Sequence, residues 1–273
     1  MRRGPSKLQN NAIRILFLGD VVGPLGRKAV RSYLATHRQK DGIDFVIANG
    51  ENVTHGHGLS YEHYKELLAC GVDCLTSGNH FFNAKDAFNP KCDFSRALRP
   101  YNFDPSCPLK GTRCFDVNGI SVRVTNLIGR VFINMSQSNP FYDLEKIVKE
   151  DGGKSIHIVD FHAEATAEKR CLAEAFDGRI AALFGTHTHV QTNDAKRLSR
   201  GTLFLTDAGM NGAYDSVLGD CKESSIRRTM TGLPAQLDVP RIGRMQVNGI
   251  LFDIDINSHR AVDFRLVNEL LED

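Results

Sequence analysis

Eight residues of this chain carry side chains suited to holding metal ions or moving protons, and each closely follows a short apolar run: Asp20, Glu51, Asn52, Asn79, His80, His162, His187 and His189. Singly, they have plain readings. Asp20 suits a helix N-cap, Gly50-Glu51-Asn52 and Gly78-Asn79-His80 suit turns, and His162 suits a buried core histidine. Gly185-Thr186-His187-Thr188-His189 is more pointed. On an extended segment, side chains two apart share a face, so the two imidazoles would point the same way. Carboxylate, carboxamide and imidazole without thiolate suit iron, manganese or zinc, and not a structural zinc. Seven such ligands are too many for one ion. With one bridging carboxylate they would serve two ions about 3.5–4 Å apart.

The elements that must position them follow from the hydrophobic pattern. Strands are expected at 13–18, 45–48 and 73–76, each ending in ligand-type residues. Helices are expected to about His37 and from about Ser60, with Ser60 as N-cap. This strand–loop–helix rhythm implies βαβ units, in which ligands sit outside the carboxyl ends of the strands. Further on, 113–117 and 120–127 flank Asn118-Gly119, a hairpin signal. Residues 141–151 and 163–175 read as helices. Strands are expected at 156–160, 180–184 and 202–206, and an antiparallel pair at 242–256 and 260–267. The chain is therefore mixed α/β. Residues 1–12, basic and polar at the start, read as a flexible tail before one domain over 13–273.

Bulk properties set limits. The 273 residues can bury a full α/β core. A net charge of +2 does not by itself imply nucleic-acid binding. Seven cysteines without a CxxC pair argue for reduced thiols in the cytoplasm and against a disulfide framework. No run of about 18 apolar residues predicts a membrane span, and the N-terminus lacks the apolar core of a secretory signal.

The wording of the motifs is more specific still. Gly19-Asp20-Val21-Val22-Gly23, Asn49-Gly50-Glu51-Asn52, Gly78-Asn79-His80, the segment 160–166 (DFHAEAT) and the segment 185–192 (GTHTHVQT) resemble the YmdB-like branch of the calcineurin-like metallophosphoesterases. That branch is bacterial and includes 2′,3′-cyclic-nucleotide phosphodiesterases. The likeness runs from about 13 to 268. Asp20-Val21-Val22 departs from the superfamily's Asp-x-His, and Gly50-Glu51-Asn52 from its GDxxD, in the manner of this branch. The resemblance implies a four-layer α/β/β/α sandwich of two mixed sheets. It implies one ion on Asp20, Glu51, Asn52 and His189, a second on Glu51, Asn79, His162 and His187, and His80 as the acid–base residue. Iron is the first choice of metal, with manganese or zinc as alternatives.

The reaction implied is phosphodiester hydrolysis, a hydroxide bridging the ions attacking phosphorus while His80 protonates the leaving oxygen. Asp160 and Glu164 are expected to orient His162. Asn102 and Arg130 are candidate substrate contacts. His55 and His57 belong to a Gly-rich loop, 54–58, and 212–219 reads as a rim loop. The partner expected is a small phosphodiester, with RNA or an RNA-turnover partner and a homo-oligomer also considered. Two other readings compete: a regulatory protein of RNA turnover that keeps the metal fold, and a dinuclear hydrolase of another bond, such as an amide.

Overall fold

The computed structural model describes residues 11–272, so most of the expected N-terminal tail lies outside the described residues; Ala12 already belongs to the first strand. In chain order the elements are β1 (Ala12–Val21), α1 (Gly23–Lys40), β2 (Phe45–Asn49), α2 (Tyr61–Ala69), β3 (Cys74–Thr76), β4 (Thr112–Val117), β5 (Ile120–Ile128), α3 (Pro140–Asp151), β6 (Ile156–His162), α4 (Thr166–Ala175), β7 (Ala182–Thr186), β8 (Lys196–Arg197), β9 (Leu203–Leu205), β10 (Met210–Ala213), α5 (Lys222–Thr231), β11 (Met245–Asp255) and β12 (Ala261–Leu271). They form two mixed six-stranded sheets, ordered β12-β11-β10-β1-β2-β3 and β4-β5-β6-β7-β9-β8.

Strand alternation explains the layering. On β1, Ile13, Ile15 and Phe17 join a buried cluster with Ile47, Ile156, Ile158, Phe184 and Phe252, which is the seam between the sheets. Leu16 and Leu18 face the other way, onto Leu25, Ala29, Tyr33 and Leu67 of α1 and α2. Across the seam, Val159, Phe161 and Leu183 turn outward onto Leu144 of α3 and Leu172 and Ala173 of α4. The result is helix, sheet, sheet, helix, with β1, β2, β3, β6 and β7 all delivering their carboxyl ends to one edge. β1 runs parallel to β2, β2 to β3, β5 to β6, and β6 to β7.

Local signals held where chemistry was specific. Asn118 and Gly119 both take positive φ, 55° and 83°, as a two-residue hairpin requires. The Ser60 side chain caps α2 by accepting from the His63 amide. Other expectations need correction. The helix expected from Ala163 starts at Thr166, because β6 runs on to His162 and Ala163 still bonds toward β7, its amide donating to the Thr186 carbonyl at 3.3 Å. Gly212 and Ala213 are not loop but the end of β10, paired with Gln246 and Met245. Just before them, the Asn211 side chain donates to the Gly19 carbonyl and accepts from the Asn248 backbone N–H, each at 3.0 Å. Helix α5 was not among the expected elements, and its Ile226 and Met230 are exposed.

All seven cysteines are free, and no helix among the described residues is long and apolar enough to cross a membrane.

His157 lies buried on β6, 2.8 Å from the Thr125 hydroxyl, and burial pushes its pKa down to about 3. Unfolded, it returns to the ordinary value near 6.5. Between these values the unfolded chain binds a proton that the native chain does not, so stability falls as pH falls through that window. His157→Gln should flatten this dependence by up to about 1.4 kcal/mol per pH unit. Urea unfolding in chelator at pH 4.5 and 6.5 would show it, and an unchanged slope would count against the buried neutral imidazole.

Candidate metal centre

All seven expected ligands meet at the shared edge. Asp20 is the next-to-last residue of β1 and is fully buried. Glu51 and Asn52 follow β2, and the Glu51 amide is turned by the Asn49 side chain at 3.1 Å. Asn79 follows β3, His162 ends β6, and His187 and His189 follow β7. Around His162 Nε2 lie Glu51 Oε1, Asn79 Oδ1 and His187 Nδ1, each at 3.0 Å. On the other side, His189 Nε2 lies 3.0 Å from the Asn52 amide and 3.8 Å from Asp20 Oδ1. Asn52 is also 3.4 Å from Glu51 Oε1, which places Glu51 between the two groups.

The tautomers follow from the outer partners of the three histidines. The Thr186 hydroxyl donates to Asp160 at 2.7 Å and therefore accepts from His162 Nδ1 at 3.0 Å. Glu164 faces His187 Nε2 at 3.0 Å. The Leu218 carbonyl faces His189 Nδ1 at 2.7 Å. In each case the outer nitrogen donates, and the inner one turns a lone pair toward the centre. Lone pairs and carboxylate oxygens that converge at about 3 Å repel one another unless a positive charge lies among them. In the chain by itself, a proton on His162 supplies that charge in place of an ion. Burial opposes a charge on His162, yet Glu51, Asp20 and Asp160 carry its pKa up to about 9. Burial likewise opposes the Glu51 charge, yet His162 and His80 hold Glu51 low. Burial pushes Asp20 up to about 6, and its Oδ1 makes no hydrogen bond. A buried carboxylate oxygen left without a donor is costly. Cations suit this donor set. Glu51, His162 and His187 alone can bring three ligand atoms within 4.8 Å of one another.

His187 and His189 do not lie on an extended segment, as their spacing suggested. β7 stops at Thr186, and both histidines adopt positive φ, 103° and 65°, in a loop. They converge because the loop is bent, not because a strand alternates. Asp160 acts on His162 through Thr186 and also accepts from Thr76 and from Asn49 at 2.9 Å. Glu164 serves His187 rather than His162. The sequence assigned no role to Thr76, Asn49 or Thr186, although Asn49 and Thr186 stand inside two of the motifs. The available signal was a polar residue at each end of an otherwise apolar strand.

The remaining candidates divide. The backbone N–H of His80 donates to Glu51 Oε2 at 3.2 Å, and its half-buried ring packs on His57 with centroids 4.6 Å apart. Asn102 is not available to a substrate. Its side chain is 1% exposed and fully used on the backbone of Ile128 and Ser138. Arg130 is exposed just beyond β5, whose last residue, Ile128, pairs with His162. The 54–58 loop is knit internally: the Thr54 amide donates to the Gly58 carbonyl at 3.0 Å, and the Thr54 hydroxyl accepts from the Ser60 amide at 2.9 Å. Beyond β10, the rim segment touches the centre through Leu218.

Comparison with known proteins gives concordant results. A family model described as YmdB-like protein matches residues 16–267. A 2′,3′-cyclic-nucleotide 2′-phosphodiesterase of Bacillus subtilis is 40% identical over 260 residues, covering 94% of this chain and 98% of that protein. The crystal structure of a phosphatase from Mycoplasma pneumoniae superposes with a TM-score of 0.89 at 36% identity, covering 96% of this chain and 95% of the other. A NAD nucleotidase of Haemophilus influenzae shares the fold, with a TM-score of 0.58 at 15% identity, over 96% of this chain and 50% of that one.

Proposed function

The chain belongs to the YmdB-like protein family, and from that premise we propose that it is a dinuclear metal-dependent phosphodiesterase that opens 2′,3′-cyclic nucleotides. Membership makes it a phosphoesterase; the ion count, the substrate and the residue roles are our reading. The observation that supports it best is the convergence of acceptor atoms on His162 Nε2 and of Asp20, Asn52 and His189 beside it, with Glu51 common to both. Asp20, Asn52 and His189 would hold one ion, Asn79, His162 and His187 the other, and Glu51 both. Bound there, two ions would neutralise charge on the phosphoryl oxygens and would lower the pKa of a water enough for it to attack phosphorus at neutral pH. Iron or manganese suits the ligands best, with zinc compatible.

The chain's own residues do the rest. The His80 N–H bond to Glu51 fixes its Cα beside the centre, and in our reading its ring serves the phosphate bound there. Burial, with His57, His162 and His189, pulls the His80 pKa down, and Glu51 opposes them. A phosphate arriving beside the ring adds negative charge and favours the imidazolium, which then gives its proton to the ribose oxygen as the P–O bond breaks. Arg130 is placed to steer an anion into the mouth. Free thiols accord with a cytoplasmic setting.

The test is a substrate panel. Protein with its metals quantified is assayed on 2′,3′-cyclic AMP, 3′,5′-cyclic AMP and a phosphomonoester. We expect at least about tenfold preference for the 2′,3′-cyclic ester, a margin worth about 1.4 kcal/mol in transition-state binding. No hydrolysis of any of the three by fully metallated protein would favour a regulatory role instead.

A further inference from the structure

Lysine is rarely buried, yet Lys169 on α4 is 0% exposed. Its ammonium donates to Asp207 Oδ2 at 2.8 Å, and Asp207, just after β9, is 0% exposed as well. The same oxygen accepts two bonds from Thr188, one from its amide at 3.1 Å and one from its hydroxyl at 2.8 Å. The other oxygen accepts from the Gly209 amide at 2.8 Å. Thr188 is the residue between the two loop histidines. The lysine's stem runs beneath β7, where a Cβ on Gly185 would lie 2.7 Å from Lys169 Cδ.

Left-handed backbone is unfavourable for residues with a β-carbon, and two such residues within three persist only where the surroundings impose them. Here His187 and His189 take that backbone, and Thr188 is held from outside the loop at both its amide and its hydroxyl. A neutral acceptor would hold Thr188 less firmly, since bonds to a charged oxygen are shorter and stronger. The buried carboxylate needs a counter-charge, and Lys169 supplies it.

We propose that Lys169, Asp207 and Thr188 form a positioning clamp that fixes both loop histidines in metal-binding geometry. None of the three touches the ions or the substrate. The clamp rests on the metal-centre reading above, so the experiment must separate the two.

Metal-free protein is titrated with Mn2+ by calorimetry, with bound metal counted by mass spectrometry, and the melting temperature of the metal-free form is measured in parallel. Wild type is expected to bind two equivalents; failure to bind Mn2+ would sink the metal-centre reading itself. Thr188→Val keeps the Lys169–Asp207 pair and should lower Mn2+ affinity by about tenfold or more, with the metal-free melting temperature nearly unchanged. Thr188→Ser restores the hydroxyl and should recover the affinity. Asp207→Asn should weaken Mn2+ binding further; should it not fold, Thr188→Val decides. Wild-type affinity in Thr188→Val, alongside two equivalents in wild type, would overturn the clamp and leave the centre standing. Equal loss in Thr188→Val and Thr188→Ser would overturn it too, because the hydroxyl would then be irrelevant.

Discussion

Gly78→Ala will cost about 10³-fold or more in turnover and will lower bound metal, a result that nothing in its backbone conformation would suggest. Gly78 does not need left-handed φ. It is glycine because a Cβ there would sit 2.1 Å from Glu51 Oε2 and 2.3 Å from His162 Nε2. Neither atom can retreat: Glu51 is 1% exposed and His162 0%. The segment carrying Asn79 and His80 must shift, or Glu51 and His162 must leave their places. Displacement of about 1 Å at a reacting centre costs on the order of 10²-fold, and here it falls on the shared carboxylate and on the neighbours of Gly78 together. Overpacking should cost about 1–3 kcal/mol of stability, so the variant should still fold. Metal content and kcat measured on the folded variant decide the matter. Wild-type values for both would mean that the centre does not use Glu51 and His162 as described.

The second large effect separates holding metal from turning over substrate. His80→Ala should keep both ions, because the hydrogen bond from His80 to the cluster comes from its backbone N–H, which alanine retains. Its kcat should fall by about 10²–10⁴-fold, the usual range for losing a general acid. The loss should be smaller on an ester whose leaving group needs no proton, such as a nitrophenyl phosphodiester. Asn79→Ala, one residue away, should instead lose metal. If His80→Ala hydrolyses the cyclic nucleotide as fast as wild type, His80 is not the proton donor.

The candidate ligands were legible because each stands just past the carboxyl end of a strand or at it, and strands announce themselves by apolar runs such as 13–18 and 180–184. The left-handed loop that brings His187 and His189 together was not legible, since its geometry is imposed from α4 and β9, far along the chain. For the same reason nothing in the sequence marked Lys169, inside the helix expected at 163–175, or Asp207, just after the strand expected at 202–206. Asn102 misled in the opposite sense. A polar residue beside the mouth reads as a contact, but its amide is consumed in tying the loop to Ile128 and Ser138. Gly78 was read as a turn, because sequence shows what a glycine permits and not what occupies the space beside it.

The most direct test of the central claim is anomalous diffraction from crystals of the metal-loaded protein. Two peaks are expected about 3.5–4 Å apart, with Glu51 reaching both, Asp20, Asn52 and His189 at one, and Asn79, His162 and His187 at the other. A single peak, or peaks bound by other residues, would contradict it.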